Sequence, residues 1–221
     1  MTDIDRPLRR DAELNRQRII AAAREVYAER GLAATFDDVA QRAGVGIGTV
    51  YRRFPTKEAL LEVALEERLK EHAAAAEAAL RAPTAWEGLT TFLGEAAKMH
   101  AADRGLRDVA LGASISLRHL DQIRDRVVPK VKQLVARAQA EGSLRPDVTA
   151  EDVPLMLMMV SEVAHHSHPV RPDIYGRYLQ LLIDGLRSSP GDGDLGRPLT
   201  NDDVEALARE WLPSPHRPGP A

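Results

Sequence analysis

The chain has 221 residues, of which 44% are hydrophobic and 4% aromatic, with a formal net charge of -3 and no cysteine. Disulfides, thiolate metal sites and cysteine nucleophiles are excluded, and the abundance of Ala, Leu, Glu and Arg favours helices over strands, so an all-α fold is expected. The near-neutral total is not the strongly basic footprint of many nucleic-acid binders, yet residues 1–57 hold 11 Lys and Arg against 8 Asp and Glu.

Residues 1–10 contain Pro7 and carry Arg6, Arg9 and Arg10, and they read as a flexible basic arm. From Asp11 the pattern turns helical, with Leu14, Ile19, Ala23, Val26 and Tyr27 near one face and Gly31 as the stop. Thr35 with Asp38 three positions on predicts a capping box for a short second helix, "FDDVAQRA". Gly44 stands where a left-handed residue ends a helix. After Gly46 a third helix, "IGTVYRRF", runs to Pro55, and Thr56 caps a long fourth that begins at Lys57 and ends by Pro83.

Glycines at 44, 46 and 48 call for an explanation, because each Gly inside a helix costs roughly 0.8–1 kcal/mol relative to Ala. Two helices joined by a glycine turn, the second carrying Thr49, Tyr51, Arg52 and Arg53, match a helix-turn-helix. In that motif the second helix enters the DNA major groove. Gly44 then takes the positive-φ turn, Gly46 the N-cap, and Gly48, lacking Cβ, lets the helix approach DNA closely.

The stretch "TFDDVAQRAGVGIGTVYRRFPTKEAL" resembles the signature of the TetR family of one-component transcriptional regulators. The resemblance implies that Ile47, Gly48 and Thr49 face base edges and that Tyr51 and Lys57 reach phosphates; Gly46 stands where the family commonly has serine. With Thr35, Arg52 and Arg53 these form the expected DNA-facing set. Major-groove readout favours contact by at least one of the two arginines, and Lys57, a cation at a helix start, is better explained by a phosphate partner. Tyr51 could instead pack as a core aromatic.

Beyond residue 60, further helices are predicted over Trp86 to Ala102, Leu106 to Ser116, Leu120 to Glu141, from near Asp152 through Ala164, and Ile174 to Leu186. The phrases "AADRGLRDVALG", "ARAQAEGSLRPDVTAEDV" and "YLQLLIDGLR" resemble the ligand-binding, dimer-forming second domain of many actinobacterial-type members. In "VPLMLMMVSEVA" and "IYGRYLQLLIDGL" too little polar face remains for one-sided burial, so the helices near 152–165 and 174–187 are candidates for a homodimer interface. A small-molecule effector cavity is expected among Met99, His100, Leu111, Ile115, Leu134, Met159 and Val163. Met156, Met158 and Met159 fit either an adaptable pocket or ordinary core.

His165, His166 and His168 could join Glu162 in a metal set, but no second ligand pair is visible and no metal or other cofactor is expected. Residues 188–221 are rich in Pro, Gly and Asp, with one helical island capped by Thr200 and Asp203 that Trp211 and Leu212 could dock. The expected organisation is an arm (1–10), a DNA-binding domain (11–57), a helical ligand-binding and dimerisation domain (58–187) and a tail (188–221).

No apolar run approaches the ~18 residues of a membrane span and no signal-peptide stretch opens the chain, so a cytoplasmic protein without a membrane partner is expected. No paired-carboxylate signature, nucleophile elbow, phosphate loop or "HExxH" points to an enzyme. The expected function is a ligand-responsive repressor that binds a palindromic double-stranded DNA operator as a homodimer. The alternative is a helical interaction protein whose motif no longer meets DNA.

Overall fold

The computed structural model describes residues 5–110, 122, 125–191 and 193–211. Among the described residues there are ten α-helices and no strand. The first four are α1 (Asp5–Arg30), α2 (Phe36–Ala43), α3 (Ile47–Arg53) and α4 (Lys57–Ala79), with a 3-10 turn at Gly31–Ala33. Then come α5 (Ala85–Ala102), α6 (Arg104–Ala110), α7 (Val127–Ala140), α8 (Asp152–Ser167), α9 (Ile174–Leu186) and α10 (Asn201–Trp211).

Local chemistry sets most of these boundaries. The predicted capping box is present at α2: Thr35 Oγ1 accepts from the Asp38 amide at 3.2 Å while Asp38 Oδ2 accepts from the Thr35 amide at 2.8 Å. Thr56 and Thr84 cap α4 and α5 through the Ala59 and Glu87 amides, and Thr200 and Asp203 repeat the box at α10. Two expectations need correction. Helix α1 starts at Asp5 rather than Asp11 and takes in residues 5–10, expected as an arm; Pro7 falls in the first turn, where its missing N–H has no helical acceptor to lose. Helix α4 ends at Ala79, short of Pro83. The helix expected from Leu120 begins instead at Val127, after a turn at 125–126, while the predicted helix continuing to Ser116 and the docking of Trp211 and Leu212 lie outside the described residues or side chains.

Helix α5 is the centre of the second domain, packing against α4, α6, α7, α8 and α9, while α1 packs against α2, α4 and α6. The two apolar stretches are divided as their composition suggested. Val153, Met156, Leu157, Met158 and Val160 are buried in α8, and Leu179, Ile183 and Leu186 in α9, yet Met159, Tyr178 and Leu181 stay 43%, 45% and 55% exposed. Beyond α9 the tail is tethered: the Leu195 amide donates to Asp147 at 3.2 Å, Arg145 donates to the Gly193 carbonyl, and the Ser188 amide donates to the Ser143 carbonyl at 3.1 Å.

One seam joins the N-terminal helices to the rest. Asp108 of α6, fully buried, accepts the Leu32 amide at 2.9 Å. Arg107 grips the same carboxylate through Nε (3.0 Å) and Nη2 (2.8 Å) and reaches Glu162 of α8 through Nη1 (2.8 Å). Gly31 has φ of 59°, and a Cβ there would stand 2.3 Å from Asp108 Oδ2.

Candidate nucleic-acid interface

The turn between α2 and α3 is a Schellman motif. Gly44 has φ of 66° and its amide donates to the Gln41 carbonyl, while the Val45 amide donates to the Ala40 carbonyl. The closing apolar contact of that motif is available because Val45 packs against the core that holds Ala40. Helix α2 is pinned to α1 by Arg42, which meets Glu25 at 2.9 Å and Glu29 at 2.7 Å, and by the Arg30–Asp38 pair. The hydrogen bonds from Thr35, foremost its backbone N–H, hold the Asp38 carboxyl below its ordinary range, so the cap is ionised near neutrality.

On α3 the inward positions are Val50 (0% exposed) and, at its C-cap, Phe54 (3%). Arg16 of α1 lies over the Phe54 ring at 5.6 Å. The opposite side carries Ile47, Gly48, Tyr51 and Arg52, all exposed, with Arg53 beside them and Thr49 half-buried. A Cβ added at Gly46 or Gly48 would meet nothing within 4 Å, so packing within the chain does not require glycine at either place. Gly46 caps α3 without any side-chain bond.

Tyr51 packs its ring edge-on to Phe36 at 4.9 Å while the residue stays 54% exposed. Arg52 donates to Thr49 Oγ1 at 3.3 Å, and Arg53 enters no ion pair among the described residues. Thr35 is exposed but its hydroxyl is engaged in the capping box. Lys57 departs from the sequence argument. Its ammonium donates to the Leu32 carbonyl, and partial burial lowers its pKa, so a phosphate is not needed to explain a cation at the start of α4.

Of the residues named for an effector cavity, His100 and Leu134 are buried, Met99 and Val163 half-buried, and Met159 is 43% exposed. Leu111 and Ile115 lie outside the described residues. His100 meets His72 of α4, which sequence reasoning missed although it falls on the inward stripe Leu65, Leu69, His72, Ala76. Glu162 is held by Arg107 and lies 3.3 Å from His166, and no grouping of three or more potential ligands among the described residues could hold a metal. No helix among them is long and apolar enough to cross a membrane.

Comparison with known proteins follows this geometry. Residues 19–64 match the family described as bacterial regulatory proteins, tetR family, and residues 82–188 match the family described as transcriptional regulator SbtR-like, C-terminal domain. The chain is 33% identical to the TetR transcription regulatory protein from Mycobacterium vanbaalenii, over 82% of this chain and 99% of that one, with a TM-score of 0.47. It is 46% identical over 59 residues to the HTH-type transcriptional regulator SrpR of Pseudomonas putida, a match that spans 26% of this chain and 28% of that protein. The MbdR regulator from Azoarcus sp. CIB has the same fold, with a TM-score of 0.59 at 22% identity over 78% of this chain and 98% of that one.

Proposed function

Because the chain belongs to the TetR family of transcriptional regulators, we propose that it is a repressor that holds a palindromic operator as a homodimer and lets go when a small-molecule effector binds. The observation that carries this reading is the outward side of α3: an exposed Ile47, Gly48, Tyr51 and Arg52 on a helix anchored by buried Val50 and Phe54. Ile47, Gly48 and Thr49 read base edges. Tyr51, Arg52, Arg53 and the remaining N–H groups of Lys57 meet the backbone or the guanine edge, with Thr35 and Gly46 at the margin.

Dimerisation through α8 and α9 is supported by the exposed Met159, Tyr178 and Leu181. The two copies would present their α3 helices to successive half-sites. An effector lodged among α4 to α9 acts by favouring one arrangement over the other, by no more than its difference in affinity for the two. The seam from Glu162 through Arg107 and Asp108 to the Leu32 amide ties α8 and α6 to the base of the DNA-binding unit.

In vitro selection from random duplexes tests this directly, with a two-fold symmetric consensus as the expected outcome. Log affinity for that consensus falls with log salt by about 0.9 per neutralised phosphate. Tyr51→Phe, which keeps the ring on Phe36, weakens binding about ten-fold per half-site, the worth of one hydrogen bond to a charged group, and so about a hundred-fold for the dimer. An asymmetric consensus, or none, overturns the reading.

A further inference from the structure

The interior of the second domain holds polar atoms with no partner among the described residues. His72 of α4 and His100 of α5 are 5% and 2% exposed, and their rings stack with centroids 5.1 Å apart and 16° between planes. His72 Nε2 and both ring nitrogens of His100 are buried and meet no hydrogen-bond partner among the described residues. Phe92 meets His72 edge-on at 5.6 Å. A buried polar atom without a partner has lost its hydration with nothing in return, and native interiors keep few of them. Three orphan nitrogens on two touching rings are therefore hard to account for as packing, on a stripe otherwise made of Leu65, Leu69 and Ala76.

The charges nearby narrow what could answer them. At His100 burial acts first, then the neighbouring His72 and Arg107, and each guanidinium nitrogen of Arg107 donates to Asp108 or Glu162. Asp108 also takes the Leu32 amide, and Asp103 takes the Leu106 amide. Burial keeps both imidazoles uncharged near neutrality, His72 brought down to about 4 and His100 well below its ordinary value. A neutral imidazole offers one N–H and one lone pair, which suits a hydroxyl or a carbonyl. A carboxylate or ammonium would set a charge against two uncharged rings, with Arg107 already paired to Asp108 and Glu162.

We propose that the His72–His100 pair is the polar end of the effector site, and that the effector is an uncharged molecule with a hydroxyl or carbonyl group on an apolar body. This rests on the reading that the chain answers to a small molecule. The full chain, labelled with nitrogen-15 histidine, is titrated with 4-propylphenol, 4-propylbenzoate and 4-propylbenzylamine. The phenol alone is expected to shift the ring-nitrogen resonances of His72 and His100 and to raise the melting temperature, and His100→Leu is expected to weaken it about ten-fold, one neutral hydrogen bond. Unmoved ring resonances in the wild-type chain, or tighter binding of the benzoate, overturn the proposal. Operator release by the phenol with unmoved rings sinks this site and keeps the regulatory reading, whereas shifted rings with unchanged operator affinity uphold the site and count against that reading.

Discussion

At position 48 the helix and the proposed interface make opposite demands. Glycine weakens α3, and a Cβ there would meet open space within the chain, so Gly48→Ala is expected to stabilise the folded protein by up to about 1 kcal/mol. Operator affinity should fall at the same time. Urea unfolding and fluorescence anisotropy with the selected operator read the two effects separately, and unchanged affinity would remove close approach as the reason for glycine. Gly44 is the contrast, since its φ of 66° strains any other residue whatever the space. Residues whose role is local were legible in the sequence: Thr35 with Asp38, Gly44, Thr56. The bond from Lys57 was not legible because its acceptor, the Leu32 carbonyl, lies 25 positions away, and His72 escaped notice because a histidine on an apolar stripe announces neither its neighbour nor its missing bonds.

Helix boundaries were recovered where a cap or a glycine marks them, as at α2, α3 and α10. The start of α1 was not, because a proline signals either a break or a first turn and only the coordinates distinguish them. The contact between the 3-10 turn and α6 was beyond the reach of sequence, since Leu32 and Asp108 are 76 positions apart. That contact makes its own demand on Gly31. Gly31→Ala combines an unfavourable positive φ, about 1–2 kcal/mol, with a Cβ placed 2.3 Å from Asp108 Oδ2. The expected loss exceeds that of the backbone term alone, and in a double-mutant cycle Asp108→Ala should return only the steric part. Additive losses in denaturant unfolding would show that the carboxylate does not press on residue 31.

For the whole molecule, charge and apolar surface are divided unevenly along the chain. An N-terminal unit with surplus cations leads into a longer part whose helices α8 and α9 carry more apolar surface than one chain covers. Leu181, 55% exposed on α9, is the sharpest probe of the proposed pairing. Leu181→Glu should leave the helical fold intact, since the side chain already meets solvent, yet shift sedimentation from dimer to monomer and abolish tight operator binding. A variant that still sediments as a dimer would move the interface elsewhere.

The seam at Leu32 and Asp108 also bears on whether the two halves of this protein are interchangeable parts. A hybrid that joins residues up to 57 to a foreign sensing half inherits one lip of the joint without the other. Unless the recipient supplies a carboxylate at the matching place, the Leu32 amide, buried here against Asp108, would be enclosed with nothing to receive its proton. Swaps that carry Gly31 and Asp108 together should survive, and those that split them should fold poorly or bind without heeding their new trigger.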